Sequence, residues 1–222
     1  MAQNQFAGGR LVIGNRRYSS WSLRGWLPVR LAGLDVEVQV IPLAGGSTPA
    51  IQAATPAGLV PYLEHRGARV WESLAIGEYC AEIAPKLWPS DRIVRAQARS
   101  VASEMHAGYR ELRMAMPMNV GRTFPGLRRT EGALADIIRI EALWAECLDT
   151  HGGPFLFGAD FTLADVMFAP VCARFLTWQP ELSTKSRAYV DAVRTHPLVD
   201  QWYHDAAAEP QEWQLPKYEE IV

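Results

Sequence analysis

Cysteine is scarce in this chain: three residues in 222, Cys80, Cys147 and Cys172. They lie far apart, form no CxxC pair, and each falls in an apolar helical pattern. An odd count without a framework excludes a disulfide-stapled secreted domain and suits a reducing cytoplasm. All three are expected to be buried, inert thiols. Long apolar runs are also missing; none approaches the roughly 18 residues of a membrane span. The opening MAQNQFAGGR has no apolar core segment, so it is not expected to be a secretory signal and reads as a frayed lead-in. Neither charge dominates. The 22 basic and 24 acidic residues leave a formal net charge of -2, which provides no electrostatic footprint for nucleic acid. The five histidines (His65, His106, His151, His196 and His204) show no spacing such as HxxxH, and no metal is expected. Repeats and low-complexity tracts are absent.

What is present is ordinary globular material, 49% hydrophobic and 21% charged, enough for one large domain or two small ones. Residues 11–13 (LVI) predict a strand. Residues 20–32 predict a helix ended by Gly33. The alternating VEVQVIPL of residues 36–43 predicts a half-buried strand. A loop with Gly45, Gly46 and Pro49 leads to a short helical piece near residues 51–53. Two short strands then flank Arg66-Gly67-Ala68 as a hairpin, followed by a helix over residues 73–84. The order is βαβ then ββα. Past a linker with Pro85, Pro89 and Asp91, strand signals nearly vanish. Helical patterns cover residues 93–114, 131–150, 163–178, 185–195 and 198–208. The predicted architecture is an α/β unit over residues 10–84 and an all-helical unit over residues 92–222.

Three stretches carry chemistry. RRYSSWSLRGWL, residues 16–27, sets Ser19 and Ser20 at the start of a helix, either as caps or as donors to a group that becomes an anion. TPAGLVPYL, residues 55–63, places Pro61 just before a strand, where proline suits a first position or a tight turn. A cis Val60-Pro61 bond would leave the Val60 backbone free to pair with an extended peptide. WESLAI, residues 71–76, offers Ser73 as an N-cap preceded by Glu72. A helix start and a serine hydroxyl would take a carboxylate, and Glu72 an ammonium, as for the α-amino acid end of a γ-glutamyl group.

These stretches, with GPFLFGADFTLADVMFAPV downstream, make the chain resemble a cytosolic glutathione S-transferase. The likeness covers nearly the whole chain. In the last stretch Thr162 and Asp165 read as a capping box. The resemblance implies a thioredoxin-like N-terminal domain that binds glutathione as co-substrate. It also implies an all-α C-terminal domain facing a small apolar electrophile, and pairing as a homodimer. Carried over, Ser19 activates the sulfur, with Ser20 beside it. Val60, at the presumed cis-Pro61, pairs with the cysteinyl part, and Glu72 with Ser73 holds the γ-glutamyl end. The expected activity is conjugation by a glutathione thiolate in the cytoplasm, with detoxification as the implied role. The alternatives are an isomerase of the maleylacetoacetate isomerase type and a non-catalytic glutathione carrier.

The opening turn is most similar to the zeta-class SSC pattern, but Trp21 stands in place of its cysteine. That departure weakens the isomerase alternative and removes the thiol a glutaredoxin-like or omega-type reductase would need. Tyr18 is the rival donor, with its side chain expected to point elsewhere. Arg16 and Arg17 read as solvated surface residues, and no residue is assigned to the glycyl carboxylate. The Met114-Ala115-Met116-Pro117-Met118 run reads equally as a soft wall for the electrophile or as helix-end packing. His106, Tyr109 and Arg113 share a helical spacing that does not by itself direct them to the cleft.

Overall fold

The computed structural model describes residues 8–221, so the lead-in reading of residues 1–7 lies outside the described residues. Strand β1 (Gly9–Gly14) starts two residues before Leu11, so Gly9 and Arg10, read as lead-in, are strand. Arg10 is held there by a two-nitrogen bond to Glu64 on the neighbouring strand, at 2.8 and 3.1 Å. Strand β2 (Glu37–Ile41) runs parallel to β1, and β3 (Tyr62–His65) runs antiparallel on its other side. Strand β4 (Ala68–Trp71) completes a four-stranded sheet of order β2-β1-β3-β4. The unbroken apolar run Leu11-Val12-Ile13 follows from position: β1 is central, covered on both faces, and all three residues are fully buried. The hairpin turn is one residue tighter than expected. Arg66 (φ 47) and Gly67 (φ 87) supply the two left-handed residues of a two-residue connection, and Ala68 already belongs to β4.

Helix α1 (Ser20–Leu31) joins β1 to β2 and packs beside α3 (Ser73–Ile83) on one face of the sheet. On the other face Ile51 of α2 (Pro49–Ala54) closes a small cluster with Val12, Ile41 and Tyr62. Gly25 lets α1 come close to Pro61, because a Cβ there would stand 2.5 Å from the proline ring. The Val60-Pro61 bond is cis.

The second unit is helical: α4 (Arg92–Ala107), α5 (Arg110–Ala115), α6 (Glu131–His151), α7 (Leu163–Trp178), α8 (Thr184–Thr195), α9 (Pro197–Ala207) and α10 (Pro216–Glu219). The pattern over residues 93–114 is two helices rather than one. Tyr109 sits left-handed (φ 59) and turns the chain, its hydroxyl bonded to Glu104 at 2.6 Å. The Arg113 guanidinium caps the broken end by donating to the carbonyls of Met105 and Gly108. The buried positions 98, 101, 102, 105 and 112 keep a helical spacing across this break, so periodicity alone does not reveal it. Helix α10 was not foreseen.

Helix α7 is apolar on every side and buried along nearly its whole length, as a central helix must be. Its start is held by Asp165, fully buried, which accepts from Thr162 N–H at 2.8 Å, Thr162 Oγ at 3.0 Å, Leu156 N–H at 2.9 Å and Tyr189 hydroxyl at 3.0 Å. The three cysteines are buried and unpaired, and burial pushes the thiols of Cys80 and Cys147 up to about 12. No described helix is long and apolar enough to cross a membrane.

Removing the Asp165 carboxylate orphans buried donors on three segments at once. Asp165→Ala is expected to cost on the order of 3–5 kcal/mol, read as a lower urea midpoint at unchanged slope. A midpoint within error of the parent's contradicts this account of the α7 start.

Candidate active site

The site begins where β1 ends. Ser19 is the N-cap of α1, its Oγ accepting from Ser22 N–H at 3.3 Å and lying 2.7 Å from Ser22 Oγ. Ser22 Oγ in turn accepts from Gly14 N–H at 2.9 Å, which ties the helix start to the strand end. The two hydroxyls sit at the positive end of α1 and can share either proton. Ser20 is the first helical residue, and its Oγ accepts from Arg174 at 3.4 Å. Tyr18 is committed elsewhere: its hydroxyl donates to Glu219 at 2.5 Å and accepts from Leu215 N–H at 3.1 Å. Burial and the Glu219 carboxylate push the Tyr18 phenol up to about 12.

Ser19, Ser20 and Val60 line a cleft of about 740 Å³ between the two units, with Pro117, Met118 and Arg113 on the helical side. Val60, Pro61, Glu72 and His106 line an adjoining recess of about 440 Å³, and Trp21 and Leu59 belong to both spaces. The Val60 backbone has no backbone hydrogen-bond partner among the described residues. Of the methionine run, Met118 reaches the cleft, Met116 is core and Met114 faces outward. Tyr109 turns to Glu104, away from both spaces.

At α3 the structure corrects the cap. The first helical bond runs from Ile76 N–H to the Glu72 carbonyl, so Glu72 is the N-cap, at φ 71, and Ser73 is the first helical residue. The cause is the abrupt left-handed exit from β4, which starts the helix one residue early. The Ser73 hydroxyl is buried with no hydrogen-bond partner among the described residues. His106 Nε2 lies 3.7 Å from Glu72, and burial lowers the imidazole below its ordinary range.

Arg16 and Arg17 are also corrected: both are mostly buried ion pairs. Arg16 pairs with Asp205 at 3.4 Å and stacks over Trp202, and Arg17 binds Glu219 through two nitrogens at 2.7 and 2.9 Å. Glu219 thus gathers Arg17, Tyr18 and Asn119, and the segment bearing α10 lies across one end of the cleft, with Tyr218 in its wall. Arg24, Arg113, Arg174, Ser22 and this C-terminal segment were not singled out as site residues. Arg24, Arg174 and the C-terminal segment find partners too distant in sequence for a local pattern to show, whereas Arg113 and Ser22 bond locally and carry no motif that marks them.

Models of the glutathione S-transferase N-terminal and C-terminal domains match residues 18–83 and 124–205. The chain belongs to the glutathione S-transferase family. A probable maleylacetoacetate isomerase of Caenorhabditis elegans is 29% identical over 165 residues, spanning 70% of this chain and 73% of that one. The maleylacetoacetate isomerase of Rattus norvegicus is 28% identical over 182 residues, 79% and 82% of the two chains. A crystal structure of the maleylacetoacetate isomerase of Anaeromyxobacter dehalogenans with bound glutathione superposes with a TM-score of 0.65. It is 28% identical and covers 94% of this chain and 99% of that one. The relatives are enzymes, and the chain is an enzyme of this family. Among the described residues no group of three or more His, Cys, Asp or Glu side chains is placed to hold a metal ion.

The Glu219 network generates a pH dependence. Burial pulls its carboxyl up, but bonds from Arg17, Tyr18 and Asn119 more than offset this and hold it below 4.5. Stability from a depressed carboxylate is complete above its unfolded value and is lost as pH falls through the folded one. At neutral pH, Glu219→Gln should therefore speed amide exchange at Leu215 and Tyr218 by about tenfold or more. The parent should show the same opening only on acidification below the ordinary carboxylate range, after correction for intrinsic rates. Equal protection in both proteins at neutral pH refutes the anchoring.

Proposed function

We propose that the chain is a glutathione transferase that holds the tripeptide across the cleft and stabilises its thiolate at Ser19 for attack on a small electrophile. The observation that carries this reading is the Ser19–Ser22 pair at the start of α1, opening onto the cleft. When Ser22 O–H and N–H both point at Ser19 Oγ, the Ser19 proton is free to point at sulfur. Ser20, at the first helical position beside it, contributes the aligned amide end of α1.

The rest of glutathione follows the adjoining recess. The γ-glutamyl carboxylate takes the Ser73 hydroxyl and the first amides of α3, which accounts for that buried hydroxyl's lack of a partner. Its ammonium takes Glu72. The Val60 N–H and C=O pair with the cysteinyl backbone, with Pro61 behind them packed on Gly25. That one relative is named a glutathione S-transferase, and that a maleylacetoacetate isomerase is solved with glutathione bound, supports the assignment.

The energetics suffice without a general base. A free thiol has a pKa of about 8.5, so only a few per cent is thiolate at neutral pH, and lowering it by ~2 units requires about 2.7 kcal/mol. One hydrogen bond to an anion contributes roughly 1.5–3 kcal/mol, and a helix N-terminus about 0.3–1 kcal/mol. Ser19 therefore donates a hydrogen bond; it is not a nucleophile.

Conjugation of glutathione to a generic aryl halide tests the reading. Ser19→Ala should lower kcat/KM at neutral pH by roughly 10- to 100-fold while glutathione affinity stays within about threefold. Ser22→Ala, which removes the hydroxyl 2.7 Å from Ser19 Oγ, should fall between the two. Equal rates in Ser19→Ala and the parent would remove Ser19 from the mechanism, and absence of turnover in the parent with glutathione bound would favour a carrier.

A further inference from the structure

Where the cleft meets the helical unit, three arginines gather, two of them against the Trp21 ring. Arg113 and Arg174 line the cleft, and Arg24 lies behind it, fully buried. The charges of Arg24 and Arg113 stand 5.2 and 5.0 Å from the Trp21 ring centre. Several other half-buried arginines have carboxylate partners, Arg10 with Glu64, Arg16 with Asp205 and Arg17 with Glu219, and half-buried Arg95, away from the cleft, bonds to the Pro89 and Ser90 carbonyls. These three form no ion pair among the described residues. Their bonds go to carbonyls and one hydroxyl: Arg24 to Met167, Arg113 to Gly108, Met105 and His106, Arg174 to Pro170 and Ser20.

Each also keeps N–H groups without a partner among the described residues. Those nitrogens are Nη1 and Nη2 of Arg24, Nη1 of Arg113 and Nε of Arg174. The carboxylate that bears on Arg113 is that of Asp136, which is engaged by Leu112 N–H at 2.9 Å and makes no ion pair with the guanidinium. The strain registers in acidity: burial, then the Arg113 charge, lowers Arg174 to about 9, and burial lowers Arg113 as well. Several like charges left in a low-dielectric corner without counter-ions are costly, and a fold retains them most readily where a ligand supplies the counter-charge.

We propose that this corner is an anion subsite, and that the electrophile presented to the glutathione sulfur carries a carboxylate held between Arg113 and Arg174. The proposal rests on the glutathione reading above and narrows it, because a purely apolar electrophile would leave both guanidinium groups unpaired. Planar guanidinium forks suit a carboxylate better than any neutral acceptor. Both arginines come from the helical unit, whereas the Val60, Glu72 and Ser73 positions assigned to glutathione lie on the sheet unit.

Binding of matched product conjugates tests this without requiring turnover. Calorimetric titration compares glutathione with S-(nitrophenyl)glutathione bearing either a para-carboxylate or the isosteric para-carboxamide. The carboxylate conjugate should bind the parent about tenfold or more tightly than the carboxamide. Arg113→Gln and Arg174→Gln should each reduce that preference and leave glutathione and the carboxamide unchanged. Equal binding of both conjugates by the parent, with glutathione still bound, overturns the subsite alone and needs no variant to fold. Weakened glutathione binding in folded Arg→Gln variants overturns it too, by assigning the arginines to the tripeptide's own carboxylate. No binding of glutathione or either conjugate removes the underlying reading, and this one with it.

Discussion

The molecule depends on a serine hydroxyl held at the seam between a strand and a helix. Ser19 caps α1, Ser22 binds both Ser19 and the end of β1, and the helix they start is pressed onto the sheet. A capping hydroxyl is worth roughly 1 kcal/mol to a helix. Here the same hydroxyl opens on a cleft, so one group serves the fold and is free to serve an anion. The position of α1 is set in turn by Gly25 against Pro61, which couples the hydroxyl's location to the turn that presents Val60.

Around that seam the helical unit supplies walls and charge. Helix α7 is buried on all sides and brings Arg174 to Ser20, and the left-handed turn at Tyr109 redirects the chain so that α5 delivers Arg113 to the cleft. The C-terminal segment folds back over Arg17 and Tyr18 through Glu219, which engages the Tyr18 hydroxyl. Arginines paired with carboxylates thus anchor the perimeter, while arginines without counter-ions line the cleft. That contrast distinguishes charges that hold the structure from charges that await a ligand.

Much of this was legible in the residues because local rules wrote it. Short apolar runs, turn glycines and the Thr162–Asp165 pair mark strand order, the hairpin and the start of α7 over the lengths those rules govern. Ser19, Val60 and Glu72 stood out because serine at a helix start, proline before a strand and an acid before a helix are local signals. What stayed hidden depends on contacts across the chain. The Arg17–Glu219 bond spans 202 positions and the Arg174–Ser20 bond 154, so neither left a pattern in the sequence. The break at Gly108–Tyr109 escaped for the opposite reason, since the apolar spacing runs through it. Ser73 was misassigned by one position because a backbone turn at Glu72, not side-chain preference, sets where α3 begins.

The central claim is that the bound sulfur is an anion because Ser19 and the α1 dipole favour that form. Ultraviolet titration of thiolate in the glutathione complex measures this directly. The account predicts an apparent pKa about 2 units below the ~8.5 of the free thiol, returning most of the way toward it in Ser19→Ala. A bound thiol that titrates like free glutathione, or a depressed value that survives loss of the Ser19 hydroxyl, contradicts it.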